Sequence, residues 1–217
     1  MALAMFDLDN TLLAGDSDYL WGSFLVDRSI VDGAEYAAAN ERFYRAYQAG
    51  TLDIHVYLRF ALKPLTQHEP RQLRIWRAQF IDEHIRPIVL DQGRDLVDSH
   101  RGRGDTLVMI TATNRFLAQP IAALFGIEHL LATDPEMVGE RYTGAITGIP
   151  TFREGKIKAL EGWLEHTGHG LSGSYYYSDS HNDIPLLERV CHPIVVDPDP
   201  ELRQHAVQHA WPIISLR

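Results

Sequence analysis

The 217-residue sequence predicts an α/β fold: a mainly parallel sheet between two layers of helices, with a helical subdomain inserted near its start. Three observations predict it. Short apolar runs recur with helix-length gaps between them. One gap, from Phe6 to Thr106, holds about 100 residues and is helical in pattern. Two of the apolar runs lead straight into clusters of acids, as strands of an open parallel sheet do at a binding edge.

The strands come first. Leu3–Phe6, Thr106–Ile110, His129–Ala132, Ser174–Tyr177 and Ile194–Val196 are short, mainly apolar runs, as buried parallel strands are. Helices are expected over Gln92–His100, Arg115–Phe125, Lys156–Glu165 and Ile184–Arg189. Within the long gap, Tyr19–Val26, Ala34–Ala49 and Pro70–Ile85 carry apolar residues at three-to-four spacing, and Gly50, Pro64 and Pro87 punctuate them. The insert is therefore read as residues 16–87, and the α/β core as 1–15 and 88–217. Met137–Thr147 alternates around two glycines like a hairpin, and Pro198-Asp199-Pro200 reads as a turn.

Composition removes several classes of function. Lys and Arg number 20 against 29 Asp and Glu, a net charge of −9. A fold-wide basic face for nucleic acid, or for an anionic membrane, is disfavoured. The one cysteine, Cys191, allows neither a disulfide framework nor a Cys-based zinc site, and is expected as a small buried hydrophobe. His205 and His209 have zinc-like spacing but lack a third ligand, and are expected on a solvated face. No apolar run reaches membrane-spanning length, and Met1–Phe6 lacks the basic flank of a secretory signal, so a cytoplasmic protein is expected.

The chemistry concentrates at strand ends. Phe6-Asp7-Leu8-Asp9-Asn10-Thr11 places two carboxylates where the first strand stops, a setting that suits a hard cation such as Mg²⁺ or a carboxylate nucleophile. Ser178-Asp179-Ser180-His181-Asn182-Asp183 supplies acids at another strand end, able to complete an oxygen-only site or to cap a helix. Thr111 ends the Thr106–Ile110 strand; its hydroxyl and the amides of Ala112 and Thr113 suit phosphate oxygens, helped by the helix that follows. Lys156 stands near a helix start, where acids are usual, so a functional cation is the sharper reading of it.

In this order the pieces resemble the haloacid dehalogenase-like (HAD) hydrolase superfamily. Asp7-x-Asp9-x-Thr11 matches its first motif, Thr111 its second, Lys156 its third and Asp179-x-x-x-Asp183 its fourth. A helical insertion directly after the first motif is similar to the type-one cap of the phosphoserine phosphatase-like subfamily. The resemblance implies a HAD-like three-layer sandwich and a Mg²⁺-dependent phosphatase. Asp7 would be the nucleophile and Asp9 the acid–base group. The Asp7 and Asp179 carboxylates and the Asp9 backbone carbonyl would hold the metal, with Asp183 supporting them. Thr111, Ala112, Lys156 and Asn182 would bind phosphate. A phosphotransferase, a phosphoprotein phosphatase and a catalytically silent relative are the competing readings.

The substrate would be a small phosphorylated metabolite. In phosphoserine phosphatases a Glu near the position of Asp16 contacts the substrate amine, so Asp16 is the expected amine contact, with Asp18 as a competitor and helix capping as the alternative role. Phosphoserine and histidinol phosphate both carry that amine. Arg42, Arg45 and Arg59 are candidates for a substrate carboxylate; Tyr44, Tyr47 and Tyr57 could pack on a ring, and His181 could touch substrate or solvent.

Overall fold

The structure, a computed structural model, describes residues 2–217. Strand β1 (Leu3–Phe6) is buried on both faces and forms the centre of the sheet. The chain then leaves the sheet for α1 (Ser17–Asp27), α2 (Gly33–Gln48), α3 (Ile54–Ala61), α4 (Lys63–Gln67) and α5 (Pro70–Phe80). A π-turn at Ile81–Ile85 and a 3₁₀ turn at Arg86–Ile88 lead into α6 (Asp91–Gly102). Next come β2 (Thr106–Asn114), α7 (Arg115–Leu124), β3 (His129–Val138), β4 (Arg141–Thr147) and α8 (Glu154–Thr167). The chain closes with β5 (Tyr175–Ser178), α9 (Ile184–Leu187), β6 (His192–Val196), α10 (Pro200–Gln208) and β7 (Ile213–Ile214).

The sheet order is β4-β3-β2-β1-β5-β6-β7, parallel except where β4 folds back on β3. Strand alternation splits the core in two. Ala4, Phe6, Leu107, Met109 and Tyr177 face one layer; Leu3, Met5, Val108, Ile110 and Tyr176 face the other. The first cluster continues without a break into Trp21, Phe24, Leu73, Phe80 and Ile85 of the inserted helices. The insert therefore shares its packing with one face of the sheet.

A second tie joins them. Pro120 lies inside α7 and has no N–H, which leaves the Phe116 carbonyl without its helical donor. Arg77 of α5 supplies that donor at 2.7 Å, and its guanidinium lies over the Phe116 ring.

The differences from the sequence reading have physical causes. β2 continues past Ile110 through Thr-Ala-Thr-Asn, and β3 extends to pair with β4 as the expected hairpin. The short helices α3 and α4 and the two-residue β7 were not expected. The Pro-Asp-Pro turn is the start of α10: the Asp199 side chain accepts from Leu202 N, with Pro200 in the first turn. Cys191 is exposed rather than buried, because it precedes β6 at the surface; Gly173 N donates to its Sγ. His205 and His209 do not form a plain solvated face: the rings stack 4.0 Å apart against Trp211. Among the described residues no helix is long and apolar enough to cross a membrane.

Gly155 seats the start of α8. A Cβ there would lie 1.9 Å from the Pro150 carbonyl oxygen, too close for any flexible accommodation. Gly155→Ala is expected to cost about 1–3 kcal/mol in urea denaturation, because backbone must move to admit the methyl. An unchanged midpoint would contradict this packing.

Candidate active site

The parallel register brings the functional segments to one sheet edge. Phe6 pairs with both Met109 and Tyr177, so Asp7 and Asp179, which follow the ends of β1 and β5, come level with Thr111 in the last half of β2. Asp7 N donates to Tyr177 O at 2.9 Å, the last rung of the ladder. The Leu8 carbonyl then accepts from the amides of Thr11, Leu12 and Leu13, and Asn10 takes a left-handed φ of 56°. This tight turn folds Thr11 back beneath Asp7. The Thr11 hydroxyl lies 3.1 Å from Asp179 Oδ1 and 3.5 Å from Asp7 Oδ2.

Lys156 is 3 % exposed and stands between two carboxylates, with Nζ 2.7 Å from Asp7 Oδ1 and 2.7 Å from Asp183 Oδ2. Burial alone would lower its pKa; Asp183 and Asp7 outweigh that and raise it, so the ammonium is firmly charged. Asp183 Oδ2 also accepts from Tyr176 OH at 2.7 Å and Ser178 Oγ at 2.6 Å. Tyr176 and Ser178 are two apart on β5 and so point the same way.

The Asp9 carboxylate is held elsewhere. Ser17 N, at the start of α1, donates to its Oδ1 at 2.6 Å, and Thr113 Oγ1 on β2 donates to its Oδ2 at 2.7 Å. Burial, with Asp16 nearby, pushes its pKa up to about 7. Burial likewise pushes Asp7 up to about 7 against the opposing pull of Lys156. Asp179 is raised well above the carboxylate range by burial, then by Asp7 and Asp183.

The other expected residues are placed as follows. Thr111 is buried, and its hydroxyl accepts from Thr113 N at 3.1 Å, so that amide is turned inward and is not open to a phosphate. Ala112 lines the cleft. Asn182 is buried, with its carbonyl taking Arg153 Nε at 2.8 Å and its amide on Ser180 Oγ. His181 pairs through Nδ1 with Asp199 at 2.8 Å. Asp16 does two things: it caps α1 by accepting from Tyr19 N at 2.8 Å, and it lines the cleft. Arg42, Arg45 and Arg59 are exposed and none lines the cleft.

That cleft, about 590 Å³, lies between the strand ends and the inserted helices. Its floor is Asp7, Asp9 and residues 111–113; Asp16 and Asp18 stand at one side. Tyr19, Phe43, Tyr44, Tyr47, Tyr57 and Phe152 supply aromatic wall. Among the described residues that line it, none is Lys, Arg or His. Sequence reasoning named the Thr113 amide but missed its hydroxyl, and missed Asn114, Arg153, Tyr176 and Ser178. The Tyr-x-Ser alternation before Asp179 was a usable signal for the last two.

The residues fit a hard divalent cation. Asp7 and Asp179 share the Thr11 hydroxyl, and burial, then Asp7 and Asp183, raise the pKa of Asp179, which has no cationic partner of its own among the described residues. Among the described residues no group of three His, Cys, Asp or Glu side chains is arranged around a metal. Two carboxylates plus a backbone carbonyl, with water and phosphate completing the set, is the sparse protein contribution that Mg²⁺ accepts.

A sequence profile of the haloacid dehalogenase-like hydrolases matches residues 4–188. The chain belongs to this family. It is 42 % identical over 219 residues to a histidinol-phosphatase of Neisseria meningitidis serogroup C, covering 99 % of both chains. A protein of unknown function from Bordetella pertussis Tohama I superposes with a TM-score of 0.94 at 44 % identity, over 100 % of this chain and 99 % of that one. A phosphoserine phosphatase solved as a phospho-aspartyl intermediate analogue shares the fold, with a TM-score of 0.72 at 16 % identity over 100 % and 93 % of the two chains. This HAD hydrolase is thus a phosphoric monoester hydrolase.

The raised carboxylates carry a stability signature. Unfolded, they lose protons near pH 3.8; folded and metal-free, Asp16 does so near 6 and Asp7 and Asp9 near 7. The folded state holds the extra protons across that window, so these groups lower stability as pH rises through it. With a chelator present, the urea midpoint is expected to fall between about pH 4 and about pH 7, and Asp9→Asn to flatten the fall. A midpoint that rises over this range in both proteins would contradict the burial of these acids.

Proposed function

We propose that this phosphatase hydrolyses L-histidinol phosphate through an aspartyl-phosphate on Asp7, with Mg²⁺ as cofactor. The observation that carries the substrate is the charge of the cleft. Asp7, Asp9, Asp16 and Asp18 line it and, among the described residues, no cationic side chain does. An amine is welcome there and a carboxylate is not, since it would be desolvated beside four acids with no partner. Phosphoserine carries that carboxylate; histidinol phosphate has the amine and an imidazole instead. The aromatic walls suit the ring, and the 42 % identical Neisseria histidinol-phosphatase supports the same choice.

In this mechanism Asp7 attacks phosphorus and the substrate alcohol leaves. Asp9 gives its proton to the leaving oxygen, then removes one from the water that attacks the acyl phosphate. Its pKa near 7 supports both duties, and its hydrogen bonds to Ser17 and Thr113 keep its side chain out of the metal set. Lys156 and Thr111 offset charge on the phosphate oxygens, with the Ala112 amide beside them. Asp183 holds Lys156, and Asn182 steadies the loop through Arg153. Mg²⁺, bound by Asp7, Asp179 and the Asp9 carbonyl, would supply further charge neutralisation and orient the phosphate.

Residues 16–87 are the cap in this reading and the flanking segments the catalytic core. A cytoplasmic setting is part of it, and the free, exposed Cys191 is consistent with a reducing compartment.

Two measurements test the proposal. With Mg²⁺ present, kcat/KM for L-histidinol phosphate is expected to exceed that for phosphoserine by at least about 100-fold, the cost of an unpaired buried charge. Equal values would refute the substrate. Asp7→Asn is expected to abolish turnover, and Asp9→Asn to slow it by about 10²–10⁴-fold; near-normal activity of Asp7→Asn would remove the nucleophile.

A further inference from the structure

We propose that Asp18, held in place by Asn114, is the carboxylate that takes the substrate's ammonium group, and that Asp16 is chiefly a helix cap; the inference rests on the aminated-substrate reading above. Both acids line the cleft, but their charges are committed differently. Asp16 spends Oδ1 on Tyr19 N; burial raises its pKa to about 6, and the amides of Tyr19 and Asp18 at the start of α1 oppose that rise. Its negative charge is already answered by the helix terminus.

Asp18 sits in the first turn of the same helix, yet its side chain makes no hydrogen bond to those amides. It crosses to the sheet, where Asn114 Nδ2 at the end of β2 donates to its Oδ1 at 3.2 Å. The Tyr57 phenol of α3 lies beside it. Burial, Asp16 and Asp9 together push its pKa well above the usual range, against the hydrogen bonds of Tyr57 and Asn114, so a bound cation would favour its charged form.

Asn114 adds an independent mark. It is 4 % exposed, and its Oδ1 is buried without a hydrogen-bond partner. A buried amide oxygen left unpaired is costly, so the amide is held there for the bond its Nδ2 makes to Asp18. An ammonium group brings three donors and one positive charge, which suits the carboxylate that Asn114 holds at the cleft. Asn114 thus acts as a positioning residue, fixing Asp18 across the junction between the inserted helices and the sheet.

The test compares L-histidinol phosphate with its analogue lacking the amine, 3-(imidazol-4-yl)propyl phosphate, in the Mg²⁺-loaded wild-type enzyme, Asp18→Asn and Asp16→Asn. The readout is the kcat/KM ratio of the two substrates within each protein, which a general folding defect leaves alone. The wild type is expected to prefer the amine by about 30-fold or more, the worth of one charge-assisted hydrogen bond. Asp18→Asn is expected to lose that preference to within about threefold, through KM. Asp16→Asn is expected to keep most of it, because Asn caps a helix about as well as Asp. If Asp18→Asn keeps the preference, or Asp16→Asn alone loses it, this assignment is overturned while the substrate stands. If the wild type shows no preference for the amine, both fall together.

Discussion

The site depends on one buried ion pair network: Lys156 between Asp7 and Asp183, with both N···O distances at 2.7 Å. Three charges out of water are tolerable only when each is fully paired, and removing one partner typically leaves a cost of about 3–5 kcal/mol. Here Tyr176 and Ser178 complete Asp183, and Thr11 approaches Asp7 from the other side. The network ties β1, β5, α8 and the segment before α9 into one rigid edge. It also leaves a net negative centre, since Asp179 and Asp9 are not neutralised by it. A divalent cation and a phosphate are the pair of ligands that such a centre can take together.

The inserted helices extend the same electrostatic logic outward. α1 begins on the Asp9 carboxylate through Ser17 N, so the first helix of the insert is anchored by a proposed catalytic residue. The insert shares the hydrophobic layer of the sheet through Trp21, Phe24 and Phe80, and Arg77 fills the bond that Pro120 leaves open. Its cleft-facing side is aromatic and acidic. In the proposed function the leaving group is recognised by attraction of a cation and by ring packing, since among the described residues no Lys, Arg or His lines the cleft.

Much of this was legible because it is local. A strand running into Asp-x-Asp-x-Thr, and a second running into Asp-x-x-x-Asp, is written in contiguous residues, and the sheet edge follows from parallel pairing. What stayed hidden is long-range. The strand was expected to stop at Ile110, and the side-chain roles of Thr113 and Asn114 stayed hidden because their partners, Asp9 and Asp18, lie about 100 positions away. Arg153 takes a left-handed φ of 51° that no propensity foretells, and spans Asn182 and the Gly50 carbonyl. The candidate arginines failed for the opposite reason: sequence gives no sense of which helix face meets solvent, and Arg45 simply pairs with Glu41 one turn away. Cys191 was misjudged because burial of a cysteine is a tendency of composition, whereas its position before β6 is a matter of topology.

The central claim is that the phosphoryl group passes to the carboxylate of Asp7. The most direct measurement is to quench the Mg²⁺-loaded enzyme with borohydride during turnover of L-histidinol phosphate and map the modified peptide by mass spectrometry. An acyl phosphate is reduced to the alcohol, so the account expects homoserine at position 7 and unmodified Asp9. Reduction at another residue, or none despite active turnover, would contradict it.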